Sequence, residues 1–247
     1  MELIKINQAT KILKGRTVLD HVNLTLEQGG IYGFFGPNGS GKTMLFRAIC
    51  GLIYLNSGEI SVFGKRVGEK QFPDDLGLVI ESVGFWNEFT GFENLKFLAA
   101  IKGKITEKDI TAVLERVGLD PGDTRIYKKY SLGMKQRLAI AQAVMEQPRL
   151  LVLDEPSNAL DEDGVRAIHQ IIREENQRGC TVLIASHNKS DIDSLCQRKF
   201  KMIDGTLQEI SSGSLPENGG IVHEKVVLAL SKPVPLSDLR GYRTVHS

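Results

Sequence analysis

The octet GPNGSGKT, Gly36–Thr43, constrains this chain most, because it stands between a strand-like run, IYGFFG, and a segment with helical apolar spacing, MLFRAICGL. It fits the pattern G-x-x-x-x-G-K-[ST] in full and in the strand–loop–helix setting that the pattern requires. Gly36, Gly39 and Gly41 let the backbone around Pro37, Asn38 and Ser40 curl until its N–H groups converge on phosphate oxygens. The helix starting near Gly41 turns its positive end toward the same point. Lys42 supplies a charge for β- and γ-phosphates, and Thr43 a hydroxyl for Mg²⁺. Glycine-rich turns are common, but the complete octet in this setting predicts a triphosphate site.

LLVLDEP, residues 150–156, supplies the other half of that site. Its four apolar residues read as a strand covered on both faces, and Asp154 comes at its end, where open α/β sheets place their ligands. A carboxylate there orients a Mg²⁺-bound water opposite Thr43. Glu155 follows at once, points elsewhere, and suits a base for water attacking the γ-phosphate. His187 ends the next buried-strand run, CTVLIASH. A histidine at a strand end is by itself more often structural; a third strand ending beside the same site favours a functional role.

The remaining segments arrange themselves around this core. LIKIN, TVLDHVNLTL and GEISVFG read as strands, with a turn at Gly29–Gly30. From about residue 84 to residue 147 the texture is helical. ITEKDITAVLERVGL places Ile110, Val113, Leu114 and Val117 on one face, with Gly118 as a stop, and SLGMKQRLAIAQAVMEQ runs to Pro148. VRAIHQIIREENQRG is an amphipathic helix between two strands, and FKMIDGTLQEI a hairpin turning at Asp204–Gly205. We therefore expect an α/β core, a β-rich part and a helical subdomain at 84–147, all within a domain spanning 1–210. Residues 211–247, with Ser, Gly and Pro clusters, are expected to form a small C-terminal appendage.

Composition narrows the function classes. Among 247 residues, 31 are basic and 30 acidic, a balance that argues against a nucleic-acid binder. No apolar run approaches the ~20 residues of a membrane-spanning helix, and MELIKINQAT has no signal-peptide core, so a soluble chain is expected. Any membrane role must then come through a partner. Cys50, Cys180 and Cys196 follow no metal or disulfide spacing and read as small hydrophobes in a reducing cytosol.

Ser131 stands where a helix N-cap is expected, but Met134 occupies the position where a capping box would place Glu or Gln, and Gly133 suits a first turn poorly. Four segments now stand in order: GPNGSGKT, YSLGMKQR, LLVLDEPSNALD and ASH. Together they resemble the nucleotide-binding subunit of an ATP-binding cassette (ABC) transporter, over residues 1 to about 210. That resemblance implies the P-loop NTPase fold of an ABC ATPase, with an antiparallel β subdomain, a helical subdomain, and two subunits sandwiching two ATP molecules. It implies that Gly36–Thr43 bind the triphosphate, that Asp154 helps hold Mg²⁺, that Glu155 is the general base and that His187 contacts the γ-phosphate. Ser131, Leu132, Gly133 and Met134 match the segment that reaches ATP on the other subunit, and Asn158 to Asp161 the loop through which subunits communicate.

Three departures from the family pattern stand out. Leu132 and Met134 replace a glycine and a glutamine, and SLGMKQR resembles the variant of small bacterial exporters of the bacitracin- and lantibiotic-resistance type. Glu81, in GLVIES, falls where a glutamine commonly joins Mg²⁺ chemistry to the helical lobe; it is either a metal-site residue or a lobe-junction residue. Leu13 occupies the position of a base-stacking aromatic. The resemblance implies a cytoplasmic ATPase, peripheral on the inner face of the cell membrane through a separately encoded multi-spanning subunit, and paired with a second copy or a paralogue. Phe85, Trp86 and Phe89 either pack the lobe junction or help dock that subunit. The alternative is a soluble, non-transport ABC ATPase of the cofactor-assembly type. Repair ATPases would need coiled-coil heptads, translation factors a second P-loop, and a P-loop kinase would leave SLGMKQR and SNALD unexplained.

Overall fold

The computed structural model describes residues 1–68, 71–81 and 84–210; the appendage expected at 211–247 lies outside the described residues. Strands β1 (Glu2–Leu13) and β2 (Arg16–Glu27) form a long hairpin. Its two-residue turn, Lys14–Gly15, has φ of 48° and 78°, the mirror-image turn whose twist matches that of the strands. β3 (Ile31–Phe35) leaves for a second sheet and leads into α1 (Lys42–Ile49). β4 (Ser57–Val62) and β5 (Lys65–Arg66) then return to the first sheet, which is antiparallel in the order β2-β1-β4-β5.

After β6 (Leu76–Val79) the chain builds a helical lobe of α2 (Gly91–Lys102), α3 (Glu107–Arg116) and α4 (Leu132–Val144). Thr90 and Glu93 close a capping box on α2, while Ile110, Val113, Leu114 and Val117 are buried on one side of α3 as the spacing predicts. Gly118 follows α3 with φ 76°, the left-handed stop. The core resumes with β7 (Leu150–Asp154), α5 (Glu162–Gln177), β8 (Thr181–Ser186), α6 (Lys189–Leu195), β9 (Arg198–Ile203) and β10 (Thr206–Ile210). The second sheet runs β10-β9-β3-β8-β7-β6, parallel throughout except for the β9–β10 hairpin, which turns at Asp204–Gly205. The seven-residue α6 has no counterpart in the sequence reading, because two turns are too short for periodicity to register.

β7 and β8 are buried at every residue, and their side chains alternate between two cores. Leu151, Leu153, Val182 and Ile184 face a cluster with Ile168, Ile171 and Ile172 of α5 and with α4. Leu150, Val152, Leu183 and Ala185 face another, shared with Leu45, Phe46 and Ile49 of α1 and with the antiparallel sheet. Sealing both faces of the central strands explains their continuous apolar runs. Each fully buried leucine contributes roughly 2 kcal/mol. All three cysteines are free and buried, and burial pushes each thiol up to about 12. Phe85 belongs to the core, 5.2 Å from Tyr127 between ring centres, whereas Trp86 and Phe89 are exposed and meet Phe97 edge-on.

The helical lobe is tied to the core by charge as well as by packing. Arg116 at the end of α3 donates to Glu174 at 3.0 and 2.8 Å and to Glu175 at 2.6 Å. Glu175 is fully buried and also pairs with Arg178. Replacing Arg116 by alanine leaves that buried carboxylate with Arg178 alone and is expected to lower stability by about 2 kcal/mol. Urea denaturation measures it; a loss under about 0.5 kcal/mol would mean that Arg178 suffices.

Candidate active site

The loop after β3 is held so close to neighbouring strands that Gly36 and Gly41 leave no room for a side chain. A Cβ on Gly36 (φ 154°) would lie 2.1 Å from the Met202 carbonyl oxygen of β9. On Gly41 (φ 111°) it would lie 2.5 Å from the Val18 carbonyl oxygen of β2. Both φ values also favour glycine. Gly205 donates its N–H to the Ser40 carbonyl at 2.9 Å, and Ser40 its own to that of Pro37 at 3.2 Å. Gly41 caps α1 with no side-chain acceptor, so the first N–H groups of that helix lack the partner a Ser or Asp would bring. Lys42 is buried and donates to the Gly36 and Pro37 carbonyls at 2.8 and 3.2 Å. The Ser40 hydroxyl is buried without a hydrogen-bond partner inside the same loop.

Thr43 and Asp154 meet directly, the hydroxyl donating to Asp154 Oδ2 at 2.6 Å. Burial pushes the Asp154 carboxyl above the usual carboxylate range; the Thr43 hydrogen bond opposes that, Glu155 adds to it, Lys42 offsets it, and Glu81 adds again. One hydroxyl and one carboxylate form an oxygen donor set suited to a hard cation. No cluster of three His, Cys, Asp or Glu able to hold a metal occurs among the described residues.

Glu155 adopts a left-handed backbone (φ 52°) while its N–H donates to the Ala185 carbonyl at 2.8 Å. Its carboxylate accepts from the His187 N–H at 2.9 Å and lies 2.8 Å from the ring Nδ1. Sequence reasoning gave these two residues separate tasks, and the structure joins them in one hydrogen-bonded pair. A cleft of about 650 Å³ brings Leu13, Lys42, Thr43, Glu81, Asp154 and Glu155 together. A second, of about 430 Å³, lies against Ser186 and His187 and shares Glu155 and Asn158 with the first.

The remaining sequence-predicted residues fall into place unevenly. Glu81 has a left-handed backbone and pairs with Arg47 of α1 at 2.6 Å. Ser131 caps α4, accepting from the Met134 N–H at 3.2 Å, and is exposed. Leu132 is 70% exposed and borders the cleft of its own chain, whereas Ser131, Gly133 and Met134 do not line it. Gly133 is half-buried, with room for a Cβ only 3.1 Å from the Ala159 carbonyl oxygen, and Met134 packs on the core. Asn158 donates its N–H to the Glu155 carbonyl at 3.2 Å, and Asp161 caps α5, accepting from Gly164 at 2.9 Å. Three residues escaped the sequence reading. Gln136 donates to the Glu155 and Pro156 carbonyls at 3.4 and 3.1 Å; Arg137 lies 3.5 Å from Asp161; Arg47 holds Glu81. Gln136 falls four residues after Leu132, and Arg47 four after Thr43, so helical spacing carried the signal.

With this geometry in view, comparison with known proteins is decisive. The model of the family described as ABC transporter matches residues 19–158. The chain belongs to the ABC transporter family. It is an ATP-binding, ATP-hydrolysing subunit of that family, and the cofactor-assembly alternative is not favoured. An uncharacterised ABC transporter ATP-binding protein of Bacillus subtilis, YybJ, is 46% identical over 83% of this chain and 95% of its own length. The bacitracin transport ATP-binding protein BcrA of Bacillus licheniformis is 39% identical over 84% of this chain and 69% of its own. The lantibiotic transport ATP-binding protein SrtF of Streptococcus pyogenes is 35% identical over 78% and 83% respectively. The fold matches that of the ATP-binding cassette MJ0796, solved as a post-hydrolysis dimer with ADP and Pi, with TM-score 0.77 and 23% identity over 86% of this chain and all of that one. Among the described residues no helix is long and apolar enough to cross a membrane.

The cost of burying Asp154 is measurable. Asp154→Asn keeps an acceptor for Thr43 but removes the charge, so the fold is expected to gain about 1 kcal/mol, or 2–4 °C in Tm, at neutral pH. With the folded pKa raised, the wild-type contribution is most favourable below the unfolded carboxylate value and is lost as pH rises through the folded value. The asparagine variant should lack that loss, which thermal melts between pH 4 and 8 read directly.

Proposed function

We propose that this ATPase closes as a pair around ATP and drives a separate multi-spanning membrane subunit, with Glu155 as general base. The observation that carries this reading is the Glu155–His187 pair beside the Thr43–Asp154 hydrogen bond. An ionised carboxylate only accepts, so His187 Nδ1 carries the proton and Nε2 is left for the γ-phosphate, whose oxygens accept from it when the ring is cationic. The backbone N–H of His187 fixes the other carboxylate oxygen, so Glu155 is oriented before a water is engaged. Gly36–Thr43 cradle the triphosphate, and Lys42 exchanges its loop carbonyls for phosphate oxygens. Thr43 and Asp154 would hold Mg²⁺, joined by Glu81 if it leaves its pairing with Arg47, and the ion would supply positive charge against the phosphates. Leu13 gives the base an aliphatic contact.

In trans, Ser131 and Gly133 approach the γ-phosphate on the other subunit, while Leu132 and Met134 flank that contact. The exposure of Ser131 and Leu132 supports this, since a capped helix start left at the surface can meet an anion. Asn158 and Asp161 lie on the loop that links each Glu155 to the opposite subunit. Losing the γ-phosphate removes contacts made only in the closed state, which reopens the pair. Export is the direction proposed, supported by the SLGMKQR variant and by relatives named for bacitracin and lantibiotic transport. The placement that follows is cytoplasmic, on the inner face of the membrane, with Trp86, Phe89 and Phe97 beside the docking surface. Residues 211–247 are proposed as a small appendage to the 1–210 ATPase domain.

Glu155→Gln should cut steady ATP turnover about 10²–10⁴-fold while ATP binding persists and a dimer accumulates in size-exclusion with ATP. Near-normal turnover would remove Glu155 from the role of base. Ser131→Arg should abolish the ATP-dependent dimer and spare ATP binding by the monomer; a dimer that still forms would reduce Ser131 to a helix cap.

A further inference from the structure

We propose that Gln136 is a positioning residue for hydrolysis, holding the Glu155 backbone so that its carboxylate stays on His187 and faces the cleft. This role rests on the reading of Glu155 as general base. Glu155 occupies a backbone conformation that its sequence disfavours twice. Its φ of 52° lies in the left-handed region, which residues with a Cβ populate sparsely. Pro156 follows it, and a residue before proline is driven toward extended backbone. Such a conformation persists only where the surroundings over-determine it.

Three holds act on this stretch. From the core, the Ala185 carbonyl of β8 accepts the Glu155 N–H at 2.8 Å. Within the loop, Asn158 donates its N–H to the Glu155 carbonyl at 3.2 Å. Gln136 supplies the third from the helical lobe. It lies on α4 one turn after Leu132, on a helix anchored by the buried Leu138 and Ala139. Its Nε2 donates to the Glu155 and Pro156 carbonyls at 3.4 and 3.1 Å. Carbonyl oxygens only accept, so the amide must turn its NH₂ to this side. Both amide hydrogens are thereby engaged by backbone, although Gln136 borders the cleft. At the other end of Glu155 the carboxylate meets the His187 N–H at 2.9 Å and ring Nδ1 at 2.8 Å. The base is clamped twice, by Gln136 at its backbone and by His187 at its side chain. Relaxation of this stretch toward extended backbone re-aims the Glu155 Cβ and draws the carboxylate off His187.

The test is ATP turnover by the purified full chain, with the Kd for ATP measured separately. Gln136→Met keeps the length and removes the donors; kcat is expected to fall about tenfold, the scale of two lost neutral hydrogen bonds, with KM and Kd within about twofold of wild type. Gln136→Glu removes the donors at constant volume, should show the same fall, and decides the matter if the methionine variant folds poorly. Gln136→Lys restores a donor and should bring kcat back to within about threefold of wild type. In the Glu155→Gln background, Gln136→Met should cost less than about twofold further, because a residue acting through Glu155 has nothing left to position. Nitrogen-15 NMR of the His187 ring reads the same event without turnover: the Nδ1–H signal should weaken in both donorless variants. An unchanged kcat, a loss confined to KM, an equal loss in both backgrounds, or lysine no better than methionine would overturn the role of Gln136 and leave Glu155 as base. Near-normal turnover in Glu155→Gln alone would overturn both.

Discussion

Everything at the site depends on how closely the backbone of the phosphate loop can approach the strands beside it. Gly36 and Gly41 sit against carbonyl oxygens of β9 and β2 at separations no side chain permits. Two sheets of different character are thereby joined at a loop of eight residues. β3 delivers the chain to that point, α1 carries it away, and β7 and β8 bring Asp154, Glu155 and His187 to the same edge. The double burial of β7 and β8 makes this edge rigid, because their alternation locks each strand between two cores.

How much of this was legible varied with the physics of each element. The central strands and α1, α3, α4 and α5 were readable, since continuous apolar runs and 3.6-residue spacing report burial directly. The phosphate loop was readable because its chemistry demands particular residues at fixed spacing. The short α6 was not, and neither was the hydrogen bonding that converts separate motifs into a machine. Sequence placed Glu155 and His187 at two strand ends but carried no sign that one carboxylate accepts from both the backbone and the ring of the other. Left-handed backbone at Glu81 and Glu155 was equally hidden, because glutamate is not a residue that advertises such a conformation. Asp161 and Ser131, which the resemblance assigns to contacts between subunits, are helix caps within the chain.

The helical lobe combines a charged contact with the core and an aromatic group of its own. On one side Arg116 reaches a pair of carboxylates, one fully buried, in an arrangement that resists separation. On the other, Trp86, Phe89 and Phe97 form an exposed edge-to-face group whose rings are only partly covered. Phe85, next to them in sequence, is instead locked in the interior, so one aromatic run divides between anchoring and presentation.

Gln136 and Arg137, neighbours on α4, both grip the stretch that follows β7: the first holds the Glu155 and Pro156 carbonyls, and the second reaches Asp161 while donating to the Val117 carbonyl at 3.1 Å. The start of α4 and the loop carrying Glu155 are therefore two arms of one lever, with its fulcrum at this pair of side chains. The tie between the start of α4 and the Glu155 backbone is thus polar, made by hydrogen bonds and not by the hydrophobic core.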